Sequence, residues 1–186
     1  MSVASILLTQ AAGAEEEAKK PAATPLTTRD VATKPSKLAT ERANMLKADV
    51  KKFSLELAYN GEQDKPYYHL SLKVLGTDQA SIFHLASQIS EEQATAIIDQ
   101  LALDGFLDNA VQGPFKQPVT PPNGPHYVMT VKLLNPSNLV FQERLTWDIK
   151  MLHRFDELRK LLKDDAARDM DFLLGRMAGH RRQWEK

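Results

Sequence analysis

The chain has 186 residues, of which 42% are hydrophobic and 26% charged, values that are ordinary for one globular domain with tails. Its 24 basic and 24 acidic side chains give a formal net charge of +0, which argues against a nucleic-acid-binding protein because such proteins carry a basic surplus. The chain has no cysteine, so disulfides, thiol catalysis and cysteine-based zinc sites are all excluded.

The charges are distributed unevenly along the chain. Residues 53–149 carry 5 Lys/Arg against 11 Asp/Glu, whereas residues 15–52 carry 9 against 6 and residues 150–186 carry 10 against 7. This distribution predicts that basic flanking helices fold back on an acidic sheet, so that the opposite charges offset each other. A dedicated acidic or basic docking surface is the alternative interpretation.

Residues 1–14 have the pattern of a truncated secretory signal peptide. A short apolar run, Val3 to Leu8, precedes the small-residue triplet Ala-Gly-Ala at 12–14, a type of sequence that signal peptidase cleaves. No Lys or Arg precedes Lys19, so the pattern fits a signal peptide whose start lies upstream, or alternatively an ordinary disordered N-terminus. The run is shorter than the ~20 apolar residues that a transmembrane span needs. We therefore expect a periplasmic or extracellular protein, with a cytoplasmic protein as the alternative.

Residues 15–49 have the composition of a flexible linker. They are rich in Ala, Lys, Pro and Thr, and Pro21, Pro25 and Pro35 interrupt any helix. So few large apolar residues cannot bury enough surface to order the segment. Near its end, the pattern predicts a short helix over residues 38–47, anchored by Leu38, Met45 and Leu46.

From Phe53 onward, apolar residues recur at every second position, which is typical of half-buried strands. The alternation runs over residues 53–59 and again over 67–74, on either side of a turn that begins at Asn60. These two runs predict an antiparallel hairpin with one solvated face. Residues 81–85 predict a third strand, short enough to lie at an edge.

The next segment changes to helical periodicity. Ser90 and Gln93 form a capping box, and apolar residues follow at helical spacing, so a helix is predicted over about 91–104. Gly105 supplies the left-handed residue that ends it. Residues 109–126 contain five prolines and two glycines, a density that predicts a long exposed loop.

The second half repeats the strand and helix patterns. Strands are predicted over 127–133 and 139–147, and the polar Glu143 at a core position of the second indicates a strand end or an edge. Helices are predicted over about 149–163 and 165–184. The predicted fold class is α+β, a single domain over 50–186 with an antiparallel sheet of four to five strands, helices packed on one face, and the order β-β-(β)-α-β-β-α-α.

Titratable residues give only weak signals for chemistry. His153 and Glu157 share a helix face, but two ligands are fewer than zinc sites use. A group of aspartates at 164–171 is accounted for by the helix dipole, and Arg168 is expected to pair with Asp164. No phosphate-binding loop or serine-nucleophile motif occurs, so no cofactor is predicted.

These observations favour a non-enzymatic, exported or cell-envelope domain that binds an unidentified protein or envelope component through a sheet face or the proline-rich loop. Nucleic acid is not expected, because an acidic sheet would repel phosphate even where tyrosines offer stacking surfaces. Arginine and tryptophan are typical interface anchors. The candidate interface residues are Tyr67, His69, Arg181, Arg182 and Trp184.

The alternative is an enzyme whose site is assembled from residues distant in sequence, with Tyr67, His69 and Glu56 as its candidates. A deep pocket with convergent titratable groups would favour the enzyme, whereas a flat surface would favour the binding domain.

Overall fold

The computed structural model describes residues 34–60, 66–76, 81, 84–113, 126–133, 139–146 and 149–184, all within one compact unit over 31–186. The segment 1–14 and most of the predicted proline-rich loop lie outside these residues. The helices are α1 (Lys37–Lys47), α2 (Glu91–Leu103), α3 (Phe106–Asn109), α4 (Ile149–Leu161) and α5 (Asp164–Trp184). The strands are β1 (Phe53–Asn60), β2 (Pro66–Lys73), β3 (His84–Gln88), β4 (Val111–Gln112), β5 (His126–Leu133) and β6 (Val140–Thr146). None of the described helices is long and apolar enough to cross a membrane.

The fold is α+β, with one mixed sheet of six strands in the order β3-β2-β1-β5-β6-β4. The predicted antiparallel sheet of four to five strands and the predicted element order are therefore wrong in three respects: β3 pairs parallel, β4 is an additional strand, and α3 is an additional helix. β3 pairs parallel to β2, because ten residues separate the two strands and can carry the chain back along β2, which a hairpin turn cannot do. β4 has only two residues, too few to leave a periodic signal within the predicted loop.

One side of the sheet, which we call the apolar face, carries the core. Phe53, Leu55, Leu57 and Tyr59 of β1 are buried there, opposite apolar residues of β2 and β5. Three helices contact this face: α1 places Arg42 over the Phe141 ring, α4 packs Phe155 against Tyr127, and α5 accepts a hydrogen bond from Ser87. α2 and α3 contact α1, and α2 also contacts α4, so both belong to the same helical layer.

Helix α1 lies within the segment predicted to be a linker, yet it packs on the domain. Ala39, Ala43 and Leu46 are buried, at spacings that place them on one side of the helix. The predicted anchors Leu38 and Met45 are instead 45% and 47% exposed, so two of the three were wrong. Alanine is small enough to bring two helices close together, and for this reason a search for large apolar anchors missed the buried side.

Helix α2 begins and ends as its sequence predicts. The Ser90 hydroxyl accepts a hydrogen bond from the Gln93 N–H at 3.2 Å, and the Gln93 side chain accepts one from the Ser90 N–H at 2.9 Å. Gly105 has a φ of 79°, the left-handed conformation that lets the chain turn into α3 without strain. The helix buries Ala94, Ile97, Ile98, Leu101 and Ala102, and it contacts the neighbouring helices α1, α3 and α4.

Candidate functional site

The side of the sheet opposite the apolar face carries polar, charged and small side chains, and we call it the polar face. Because side chains alternate along each strand, its members are the residues of β1, β2, β3, β5 and β6 that alternate with the core positions. They are Ser54, Glu56, Ala58, His69, Ser71, Lys73, His84, Ala86, Gln88, Val128, Thr130, Lys132, Val140, Gln142 and Arg144.

The strand register arranges the polar face into three rows that run across the sheet. In the first row, Ser54 lies between Lys73 and Lys132. In the second row, Glu56 is flanked by Ser71 and Thr130. In the third row, β3 and β2 contribute the pair His84 and His69, and β6 contributes Arg144 on the other side of β1. Successive rows are about 7 Å apart, the distance between alternate residues of a strand.

Among the side chains that the structure describes, the polar face carries three cations, Lys73, Lys132 and Arg144, and one carboxylate, Glu56. Net charge along a segment does not reveal on which side of a sheet its residues fall, so the distribution of charge between the two faces depends on the strand phase. The other described acidic residues of 53–149 lie on helices, at helix ends or on the apolar face; they are Glu91, Glu92, Asp99, Asp104, Asp108 and Glu143.

Glu56 is paired with Lys132, its diagonal neighbour on β5. The two side chains are only 21% and 25% exposed, so water screens their attraction less than it would at a fully exposed site. The ion pair draws the Glu56 carboxylate toward β5. His69 lies on β2 and contacts β3 instead, so the two residues proposed for an enzyme site turn toward different neighbours.

His69 and His84 face each other across the parallel pair β2 and β3. Their ring centroids are 4.4 Å apart with an angle of 38° between the planes. The backbone of His84 is held by two hydrogen bonds with Ser81, at 2.7 and 3.2 Å. Within the described ranges, no cluster of three or more His, Cys, Asp or Glu side chains is placed to hold a metal ion.

Ser54 occupies the centre of the first row and is fully buried. Its hydroxyl has no hydrogen-bond partner in the part of the chain that the structure describes. A buried hydroxyl without a partner costs about 1–3 kcal/mol of desolvation, so this polar atom lowers stability where it stands.

The remaining predicted interface residues fall at two separate places in the fold. Tyr67 lies within β2, two positions before His69, and Arg181, Arg182 and Trp184 lie in the last turns of α5. The side chains of these four residues lie outside the described part of the structure. Of the five predicted interface residues, His69 is therefore the one whose side chain can be placed, and it belongs to the polar face.

A second group of charges is buried between the sheet and the helices. Arg154 of α4 is 2% exposed, and it donates to Asp104 at 2.8 Å and to Glu143 at 2.7 Å. Its guanidinium also lies 5.5 Å from the centre of the Phe106 ring. Burial raises the pKa of Asp104 above its ordinary value, and the charge of Arg154 opposes that rise. The arrangement ties the end of α2 to β6 and α4.

This cluster explains why a polar residue, Glu143, occupies a core position of β6. Glu143 can occupy a core position of β6 because Arg154, which lies in the helical layer, donates a hydrogen bond to its carboxylate and balances its charge. The strand does not end at Glu143. A signal was present in the sequence, since an arginine among the apolar residues of a core-facing helix requires a partner. The partner's position depends on the fold, so the pairing was not predictable.

The aspartates near the start of α5 serve helix packing. Asp171 accepts two hydrogen bonds from Arg159, both at 2.6 Å, and Asp169 accepts one from Ser87 at 2.6 Å. The sequence predicted that Arg168 pairs with Asp164, but Arg168 pairs with Asp165 at 2.7 Å. The spacing of three residues is favoured here because Asp164 has a φ of 48°, outside the helical range.

His153 and Glu157 share a helix face, as predicted, with 3.9 Å between the imidazole and carboxylate atoms. Glu157 also accepts a closer hydrogen bond from Lys160 at 2.6 Å. That bond lowers the pKa of Glu157 and engages the carboxylate in a surface ion pair.

A surface cleft of about 450 Å³ lies beside α2. Two of its three carboxylates already have cationic partners, because Glu91 lies 3.9 Å from Lys51 and Asp99 pairs with Lys47. The third, Glu92, has a lowered pKa because the Ser90 hydroxyl donates to it. The lining consists of Val50, Glu91, Glu92, Thr95, Ala96 and Asp99.

Comparison of the chain with protein-family models, with curated proteins and with solved structures finds no match.

Proposed function

We propose that this chain is a non-enzymatic binding domain, exported or attached to the cell envelope, that engages a macromolecular partner through the polar face. One observation carries the proposal: the described helices contact the apolar face, while the polar face carries half-buried charged side chains in register across its strands and the exposed Gln88 at its edge. Its charged and amide side chains can contact a partner.

The contacts of Glu56 and His69 favour this proposal over the enzyme alternative. Glu56 is engaged by Lys132 on one side of β1, and the His69 ring contacts the His84 ring on the other. A general base must lie within hydrogen-bond reach of the group that it serves, and neither residue is turned toward the other. Both residues are better explained as parts of an extended polar surface.

Affinity capture from the native host tests the proposal, with the full chain as bait. Ala58→Gln and Ala86→Gln together place two long neutral side chains on the polar face without changing its charge. The matched control, Ala48→Gln with Ala178→Gln, makes the same change on helices α1 and α5. Circular dichroism and thermal unfolding establish that both variants fold.

We expect one protein or envelope component to be recovered with the wild type and the helix control, and lost with the polar-face variant. Recovery that is equal for all three baits contradicts docking on the polar face. Repeated failure of the wild type to recover any component contradicts the binding function itself.

Export is a separate part of the proposal and has its own test. The apolar run and the Ala-Gly-Ala triplet within residues 1–14 support it. N-terminal sequencing of the protein from fractionated host cells is expected to give a shortened chain from the exported fraction. A chain that starts at Met1 or Ser2 in the cytosolic fraction contradicts export.

A further inference from the structure

Helix α1 buries less apolar surface than its neighbour α2. Its buried side chains are those of Ala39, Ala43 and Leu46, so a single large apolar residue anchors a helix of 11 residues. Helix α2 has 13 residues and buries two isoleucines and a leucine in addition to two alanines. Because a packed helix is stabilised mainly by the apolar area that it buries, α1 is held to the domain more weakly than α2.

The polar contacts at the two ends of α1 are open to water. Ser36 donates a hydrogen bond to Asp108, and Lys47 pairs with Asp99. The Lys47 and Asp99 side chains are 31% and 54% exposed. Exposed pairs of this kind contribute little, because water and salt screen them. The ends of the helix therefore add little to the anchoring that Leu46 provides.

Arg42, near the middle of α1, joins the helix to the edge of the sheet. Its guanidinium donates to the backbone oxygens of Leu107, in α3, and Ala110, the residue before β4. β4 has only two residues, and the Gly113 amide that follows it donates to the Val140 oxygen of β6 at 2.8 Å. If α1 leaves, both carbonyls lose their donor, and a two-residue strand has little else to keep it on β6.

The position of α1 in the fold allows it to leave while the sheet stays paired. It precedes β1 in the chain, and its main contacts are with α2 and α3. None of the strand pairs in the described sheet includes it. Elements that bury little apolar area can open at a lower free energy than the whole domain, as separate units.

We infer that α1 is a detachable strap, which releases from α2 and α3 as one unit and takes β4 off the edge of β6, while the other strands stay paired. Its release uncovers the Phe141 ring, whose centre lies 5.1 Å from the Arg42 guanidinium, and the backbone edge of β6. The strap belongs to the helical layer, so it goes beyond the proposed function and does not depend on what the polar face binds.

Thiol labelling of the full chain tests the strap, because the chain has no cysteine of its own. Ala43→Cys places a thiol on the buried side of α1, where the alanine is 4% exposed. The matched control, Ala166→Cys, places one on α5, where the alanine is 2% exposed and the main contacts are with β2, β3 and α4. Each variant reacts with iodoacetamide at several urea concentrations below the unfolding transition. The rate divided by that of the urea-unfolded chain gives the open fraction.

We expect the open fraction at position 43 to exceed that at position 166 about tenfold or more, and to depend less on urea, because strap release exposes less surface than global unfolding. Leu46→Ala should raise the open fraction at position 43 about tenfold or more, since it removes the large anchor. Leu70→Val, a change on β2, should raise the open fraction at position 166 and leave that at position 43 within about twofold.

Amide hydrogen exchange of Gly113 tests the link between α1 and β4 in the chain without added cysteines. Leu46→Ala should speed exchange at Gly113 by the same factor as at the amides of α1. Leu70→Val should leave both within about twofold, because strap release precedes any change in the core.

Equal open fractions with equal urea dependence at positions 43 and 166 would mean that α1 opens only when the whole domain unfolds, which overturns the inference. An equal response of both positions to Leu70→Val overturns it for the same reason. Exchange at Gly113 that does not respond to Leu46→Ala would show that β4 stays on β6 without α1, and it overturns the inference as well.

Discussion

Arg154 is the residue on which the helical layer and the sheet both depend. A single guanidinium, 2% exposed, serves two partly buried carboxylates from different elements. Burying charge is costly unless each charge has partners, and this cost offsets much of the attraction between Arg154 and the two carboxylates. Such a cluster therefore adds little net stability, but it favours the one arrangement of the elements in which all three charges are paired. Removing its centre is expected to be costly, because two carboxylates are left in the interior.

Arg154→Ala is predicted to lower the free energy of unfolding by about 3–5 kcal/mol, since it leaves Asp104 and Glu143 without their cation. Arg168→Ala is the control, because its ion pair with Asp165 is largely exposed and should be worth less than about 1 kcal/mol. Urea denaturation of both variants measures the difference. If both variants lost the same free energy of unfolding, the contacts of Arg154 would contribute no more than an exposed ion pair.

The pH dependence of stability should differ in sign between two aspartates. Burial raises the pKa of Asp104 above 3.8, so its contribution to stability is fully present below that value and is lost as pH rises through the folded-state pKa. Hydrogen bonds from Arg159 lower the pKa of Asp171, so its contribution is present above 3.8 and is lost as pH falls through its folded-state pKa.

Asp104→Asn and Asp171→Asn test these signs in urea denaturation from about pH 2 to pH 7. Relative to its variant, the wild type should lose stability with rising pH in the comparison at Asp104. It should gain stability with rising pH in the comparison at Asp171. The same sign in both comparisons would contradict the proposed environments of the two carboxyls.

At the scale of secondary-structure elements, α1 shows how a short helix can pack on a domain when most of its buried residues are small. Its buried side consists of Ala39, Ala43 and Leu46, and Arg42 donates to the backbone oxygens of Leu107 and Ala110. These contacts attach α1 to the end of α3 and to the residue before β4. The helix is therefore part of the folded unit even though its composition is that of a linker.

Leu46→Ala is predicted to cost about 2–5 kcal/mol, the range for emptying a buried leucine site. Leu38→Ala removes the same atoms from a side chain that is 45% exposed on the same helix, and it should cost less than about 1 kcal/mol. Thermal and urea unfolding measure both. Similar small effects at the two positions would mean that α1 does not stabilise the domain.

Local sequence signals were sufficient to predict the position of those helices and strands that carry a cap or a clear periodicity. The Ser90 capping box and Gly105 predicted α2 to within a residue, and period-two alternation predicted β1, β2 and β5 closely. Local signals were not sufficient for β3 or β4. The parallel pairing of β3 depends on where the chain returns to the sheet, and two-residue β4 forms because β6 is already in place to pair with it.

At the scale of the whole molecule, the pleat of the sheet decides on which side each charge falls. Residues 53–149 have a negative net charge, yet alternation places three of their described cations, Lys73, Lys132 and Arg144, on the polar face. The net charge of a segment and the alternation of residues along its strands are different properties. Net charge alone does not predict the charge of one face of the sheet. The strands and their alternation were predictable, so it was also predictable which residues of each strand share a face. The rows across the sheet were not, because they depend on the register between strands that are distant in sequence.

Photo-crosslinking in the native host tests most directly the claim that a partner docks on the polar face. Benzoylphenylalanine is placed at Gln88, an exposed member of the polar face on β3, and in a second protein at Ala48, exposed at the end of α1. If a partner docks on the polar face, illumination should give a discrete covalent adduct from position 88 and none from position 48. An adduct from position 48 alone, or the same adducts from both positions, would contradict it.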